Sequence, residues 1–114
     1  MMAFSQDSVR GNAEALLLCQ YPDGRQALHI YEGINCKLDW LSLESDIPGT
    51  VSVIKAQEGI SGRSAGPART LRVSSALLKG KTTVRVNGNS VDSARTENTV
   101  VFTVPAGSCE FDFR

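Results

Sequence analysis

Histidine, aromatic rings, long apolar runs and net charge are all scarce in this chain of 114 residues. With His29 as the one histidine, a zinc site of clustered Cys and His ligands has no basis in the spacing. Any Ser-His or Cys-His catalytic set would have to use His29, and no G-x-S-x-G elbow is present to supply its nucleophile. Gly59-Ile60-Ser61-Gly62 lacks that spacing. Cys19, Cys36 and Cys109 are odd in number and far apart, so they make no disulfide framework and at most one bridge. Cys36 and Cys109 fall in apolar registers and read as small buried hydrophobes, which fits a cytoplasmic or bacterial setting.

No stretch reaches the length of a membrane span. Leu16-Leu17-Leu18-Cys19 looks like a lipoprotein cleavage box, but the run is short, and Asp7 and Glu14 interrupt what should be an acid-free leader. No signal peptide is read, no glycosylation sequon occurs, and the doubled Met1-Met2 looks like the start of an excised domain or short frame. Twelve basic residues balance twelve acidic ones, so there is no global attraction to nucleic acid or membranes. The aromatic stacking set of an RNA-binding surface is missing too, with one Trp, two Tyr and four Phe.

What is present is alternation. Val84 and Val86 flank Arg85, and Cys109, Phe111 and Phe113 flank Glu110 and Asp112. A period of two gives one dry and one wet face, the mark of a half-buried strand. Asn87-Gly88 is a strong hairpin signal, because a primed turn needs positive φ at its centre. Pro22-Asp23-Gly24-Arg25 makes a second hairpin between Ala15–Tyr21 and Gln26–Glu32, in preference to a helix over Ala13–Cys19 capped by Asn12. Gly33 starts a further turn before the alternating strand Ile34–Trp40, and Ser42–Pro48 reads as a connection. Thr50–Gln57, Thr70–Leu78, Thr82–Asn87, Asn98–Pro105 and Ser108–Arg114 complete the strands. Glu58–Ala68, with Gly59, Gly62, Gly66 and Pro67, reads as the longest flexible loop, and Val91–Asn98 as an exposed link. The expectation is an all-β fold, an antiparallel β-sandwich of about seven to nine short strands. Residues 1–13 are expected as a flexible arm or edge segment, and 14–114 as a single domain.

Candidate chemistry is sparse. Lys79-Gly80-Lys81-Thr82 is no phosphate loop, because Ser75 stands where the motif needs glycine. Asp39, Glu44 and Asp46 could gather around calcium, yet no EF-hand spacing supports them. Glu110, Asp112 and Arg114 read as a solvated charge ladder. If Leu28, Ile30, Cys36, Leu38 and Trp40 face inward, then His29, Tyr31, Asn35, Lys37 and Asp39 face out as a polar patch with one aromatic ring. Such a patch suits a sugar, held by stacking and hydrogen bonds. Lys55–Arg95 carries eight basic residues against Glu58 and Asp92, and could present a basic face through Arg63 and Arg69 to an anionic partner.

Val84-Arg85-Val86-Asn87-Gly88-Asn89-Ser90-Val91, then Thr99–Gly107 and the terminal Phe111-Asp112-Phe113, resemble the closing strands of small β-sandwich modules. These modules occur at the C-terminus of bacterial glycoside hydrolases and polysaccharide lyases. The likeness covers about thirty of the 114 residues and implies a non-catalytic module that binds glycan or braces a parent catalytic domain. No cofactor or metal is expected. An anionic polysaccharide would suit the basic middle of the chain. The competing readings are a free-standing protein that pairs its sheet edges into a homodimer, and, least favoured, an enzyme using His29 with one of the acids. A nucleic-acid partner is disfavoured.

Overall fold

The computed structural model describes residues 2–6, 9–13, 15–57, 59–81 and 83–114. Asp7, Glu14, Glu58 and Thr82, used above in arguments on charge, leader and strand bounds, lie outside the described residues. The fold is all-β and antiparallel throughout. Its strands are β1 (Met2–Gln6), β2 (Val9–Ala13), β3 (Ala15–Gln20), β4 (Gln26–Leu38), β5 (Leu41–Ala56) and β6 (Gly59–Ala65). They continue as β7 (Arg69–Ser74), β8 (Val84–Val86), β9 (Asn89–Val91), β10 (Ser93–Thr96), β11 (Thr99–Val104) and β12 (Cys109–Phe113). Among the described residues twelve strands stand where seven to nine were expected, because several turn-like stretches remain paired.

The scaffold is one long hairpin, β4–β5, closed at Asp39-Trp40 and bent midway along both arms. Past the bend, the free edge of β5 has two partners. Its C-terminal half pairs with β6 and its N-terminal half with β7. From β6 the sheet runs on through β12 and β8 to β9, and from β7 through β11 to β10. Only Asp92 separates β9 from β10, so the two wings rejoin and the sheet is nearly closed, barrel-like.

The dry faces of the wings meet inside. Phe102 of β11 lies 5.3 Å from Phe111 and 5.7 Å from Phe113 of β12, ring centre to ring centre. Leu28, Val53, Leu71, Val73 and Val104 fill the same core. Each such side chain contributes about 1.5–3 kcal/mol on burial. The alternation read at Leu28/Ile30, at Cys36/Leu38/Trp40 and at Phe111/Phe113 is what places these residues inside.

Both turn signals hold. Asn87 (φ 53°) and Gly88 (φ 82°) make the primed turn of the β8–β9 hairpin. Gly24 (φ 91°) closes the β3–β4 turn, where Asp23 accepts from both the backbone and the side chain of Arg25.

Other expectations need correction. Gly33 starts no turn: Glu32, at φ 49°, makes an irregularity within one continuous β4. A Cβ at Gly33 would collide with Ile30 and Ala13, so glycine lets β2 close on the bend. Ser42–Pro48 is no connection but part of β5, paired from Ser42 to Ser45 with β7. Val91–Asn98 is largely exposed as expected, but it is more than a link, since β10 pairs with β11. β7 ends at Ser74, and Ala76–Leu78 form a 3-10 turn. Ser75 caps that turn: its Oγ accepts from Leu77 N–H and donates to the Trp40 carbonyl. Residues 1–13, expected as a flexible arm or an edge segment, contain the paired strands β1 and β2, with β1 at one edge of the sheet. β2 joins β4 because the backbone groups of Asn35–Lys37 need partners, and Asn12 N–H and Nδ2 both donate to Asn35 Oδ1.

Candidate functional site

Residues 58–68, read as the mobile loop, are largely strand β6. Gly62 is there for contact, not for freedom. A Cβ on it would sit 2.5 Å from the Phe111 ring and 2.6 Å from the Ser52 carbonyl. The outer face of this wing is built from small residues flanked by larger ones, and it is hollow as a result. A groove of about 710 Å³ crosses it, with His29, Ser52, Ile54, Ser61 and Arg63 on one side and Glu110 and Asp112 on the other. Beside it lies a pocket of about 510 Å³ that shares Ser52, Arg63 and Glu110 with the groove.

Strand register aligns the polar row. His29 stands opposite Ser52, Ser52 opposite Arg63, and Arg63 opposite Glu110. His29 Nδ1 and Ser52 Oγ share a hydrogen bond of 2.8 Å. Tyr31 stacks beside the imidazole, 6.5 Å between ring centres, and is 44% exposed. Together they give the groove an aromatic shoulder.

Charge across the row is compensated. Arg63 donates to Glu110 at 2.6 Å. Arg85 grips Asp112 through two bonds of 2.9 Å, and Arg114 adds a third cation at 3.6 Å. The Arg85 bonds hold the Asp112 carboxyl below its ordinary range. The ladder read from Glu110, Asp112 and Arg114 is therefore present, with Arg63 and Arg85 as its rungs.

The expected ligand residues separate. His29, Tyr31 and Arg63 lie at or beside the groove. Asn35, Lys37 and Asp39 lie beyond the bend of β4, in the stretch facing β2 and the β4–β5 turn. Arg69 is buried, only 3% exposed. It sits in the fork where β6 and β7 diverge, packed over Gly49 and donating to the Pro67 and Thr50 carbonyls. Burial pushes its guanidinium pKa down. The register was readable, because Arg69 shares the parity of buried Leu71 and Val73. Ser52 and Ser61 were missed as site residues, since a serine flanked by aliphatic residues or glycine carries no chemical signature of its own.

Within the basic middle of the chain the five arginines are engaged or buried. Arg63 and Arg85 are paired, Arg69 is buried, Arg72 faces Glu44 across the β5–β7 ladder, and Arg95 donates to the Leu78 and Glu97 carbonyls. Among the described residues no group of three or more His, Cys, Asp or Glu could hold a metal, and Asp46 instead accepts from Thr70 N–H. No described helix is long and apolar enough to cross a membrane. Comparison with protein-family models, curated proteins and solved structures found no match.

Proposed function

We propose that this chain is a non-catalytic β-sandwich accessory module that binds a neutral polysaccharide along the groove over β4, β5, β6 and β12. The two wings whose phenylalanines meet across the core support the sandwich reading. The observation that carries the ligand is the pairing of polar surface with cancelled charge. Hydroxyls, the Arg63–Glu110 pair and Asp112, held by Arg85, line the groove beside the Tyr31–His29 shoulder. Sugar hydroxyls donate and accept at once, so they suit such a lining, and a ring face stacks on an aromatic. A uronate polymer would need spare cations, and the groove has Arg63 and Arg85 already engaged. This moves the ligand from the anionic class to the neutral one. In this reading the module belongs beside a parent carbohydrate-active domain, where it supplies affinity and the partner supplies chemistry.

Affinity electrophoresis through gels holding neutral or uronate-rich polysaccharide tests this. Retardation by a neutral polymer that persists at high salt is the expected result. Tyr31→Ala should weaken it roughly two- to tenfold, the worth of one aromatic contact. Retardation by uronate polymers alone, abolished by salt, would reverse the assignment, and no retardation on any polymer would remove it.

One observation favours a second reading, a homodimer. β3 lies on an open edge, carries no charge from Ala15 to Gln20, and has Leu17 51% exposed. Unguarded edges of this kind pair with copies of themselves. Sedimentation at micromolar concentration with Leu17→Lys as the control tests it; a wild-type monomer would rule it out.

A further inference from the structure

Strand β3 pairs with β4 on one side and, among the described residues, with no strand on the other. Its two faces are both apolar. Leu16 and Leu18 stand opposite buried Ile30 and Leu28 and point inward. They pack against the core yet stay only partly buried, as the last strand of a sheet must when nothing lies beside it. Leu17 stands opposite His29 on the outer face. Around His29 that face carries Leu17, Tyr31 and Ile54, three of the five large hydrophobics left exposed among the described residues. An uncharged edge beside a cluster of exposed apolar side chains is a surface built to be covered.

The sequence of the edge names what covers it. Ala15-Leu16-Leu17-Leu18-Cys19 reads nearly the same in both directions. Two antiparallel copies of a strand meet about a two-fold axis, and directly opposed side chains share a face. With the axis at Leu17, Leu17 meets Leu17, Leu16 meets the partner's Leu18, and Ala15 meets the partner's Cys19. Every inner leucine then faces an inner leucine, and no charge faces another. Shifting the axis to Leu18 would set Leu16 against the partner's Gln20 on the inner line, so the hydrophobic pattern selects the first register.

We propose that β3 pairs with β3 of a second copy in this register, with the axis at Leu17. This rests on the homodimer reading above and fixes its geometry. One sheet runs through both copies. The outer row Leu17–His29–Ser52–Arg63–Glu110 then meets its own copy end to end at Leu17.

Charge exchange at position 17 tests it by sedimentation at micromolar concentration. Leu17→Lys alone and Leu17→Glu alone each set like charges face to face, and each should weaken association about three- to tenfold. An equal mixture of the two should restore it, because residue 17 meets itself. Disulfide trapping reads the same register independently. Ala15→Cys, oxidised, should form a covalent dimer joined from residue 15 to Cys19 of the other copy, located by mass spectrometry. The oxidised wild type should form none, since its two Cys19 residues are offset by four positions, about 13 Å. The same distance separates residues 15 and 19 within one chain, so no internal bridge competes. Ile47→Cys, exposed at another place, is the control for random collision. A wild-type dimer whose mixed variants stay apart, or whose Ala15→Cys form cross-links no better than Ile47→Cys, would overturn the register and leave the homodimer standing. A wild-type monomer would remove both, and neither result bears on glycan retardation.

Discussion

Arg69→Met separates two roles for the same residue. The methionine keeps most of the length and volume but donates no hydrogen bond. In the native fork Arg69 Nη1 reaches the Pro67 carbonyl at 3.0 Å and Nη2 the Thr50 carbonyl at 3.0 Å. Both acceptors would lose their side-chain donor in a dry place, at about 1–3 kcal/mol each. Part of that is returned, because a thioether has no charge to desolvate and Arg69 Nε is itself unpartnered. The net expectation is a loss of about 2–4 kcal/mol, which for a domain of this size lowers Tm by roughly 8–16 °C. Arg69→Ala adds a cavity over Gly49 and should be worse by about 1–2 kcal/mol. Thermal melts followed by circular dichroism, with urea unfolding as a second measure, read the change. Glycan retardation of the folded variant at low temperature should match wild type. A Tm within about 2 °C of wild type, together with lost retardation, would refute the structural role and return Arg69 to the binding surface.

Gly62→Ala should destabilise by about 1–3 kcal/mol, because the new methyl meets both the Phe111 ring and the Ser52 backbone carbonyl; chemical denaturation measures it. Asp112→Asn removes a carboxylate whose folded pKa is depressed by Arg85. The stabilisation is present above the unfolded value of about 3.9 and fades as pH falls through the lower folded value. Wild type should therefore exceed the variant by about 1 kcal/mol at pH 6, with the gap closing below pH ~4; a gap that persists at pH 2 contradicts the pairing. Burial raises the Cys36 thiol to about 11 and also moves Cys109 upward. A chromogenic disulfide reagent should modify partly exposed Cys19 first, and Cys36 and Cys109 only on unfolding.

The tight turns and the dry faces were legible because each depends on neighbours in sequence. Asn87-Gly88 needs positive φ wherever it occurs, and Leu28/Ile30 or Phe111/Phe113 show their parity within three residues. The bends were not. Glu32-Gly33 and Ser45–Gly49 look like loops because they are polar and hold Gly or Pro, and the long-range pairings of Gly33 with Gly49 and of Ser45 with Leu71 keep them in the sheet. Gly62 read as mobility for the same reason, since the Phe111 ring against it is nearly fifty residues away. At the site, the outward direction of His29 and Tyr31 followed from alternation, whereas Arg63 lay in a stretch read as a loop. Their neighbours Ser52 and Glu110 come from β5 and β12, which no local pattern relates to them.

The position of β12 between β6 and β8 has a consequence for synthesis. Its partners emerge from the ribosome first and wait with bare ladders until Phe113 arrives. One wing is completed by the final stretch of the segment described, so nascent chains stalled a few residues early should stay open to chaperones and proteases, with little protection from what has already been made.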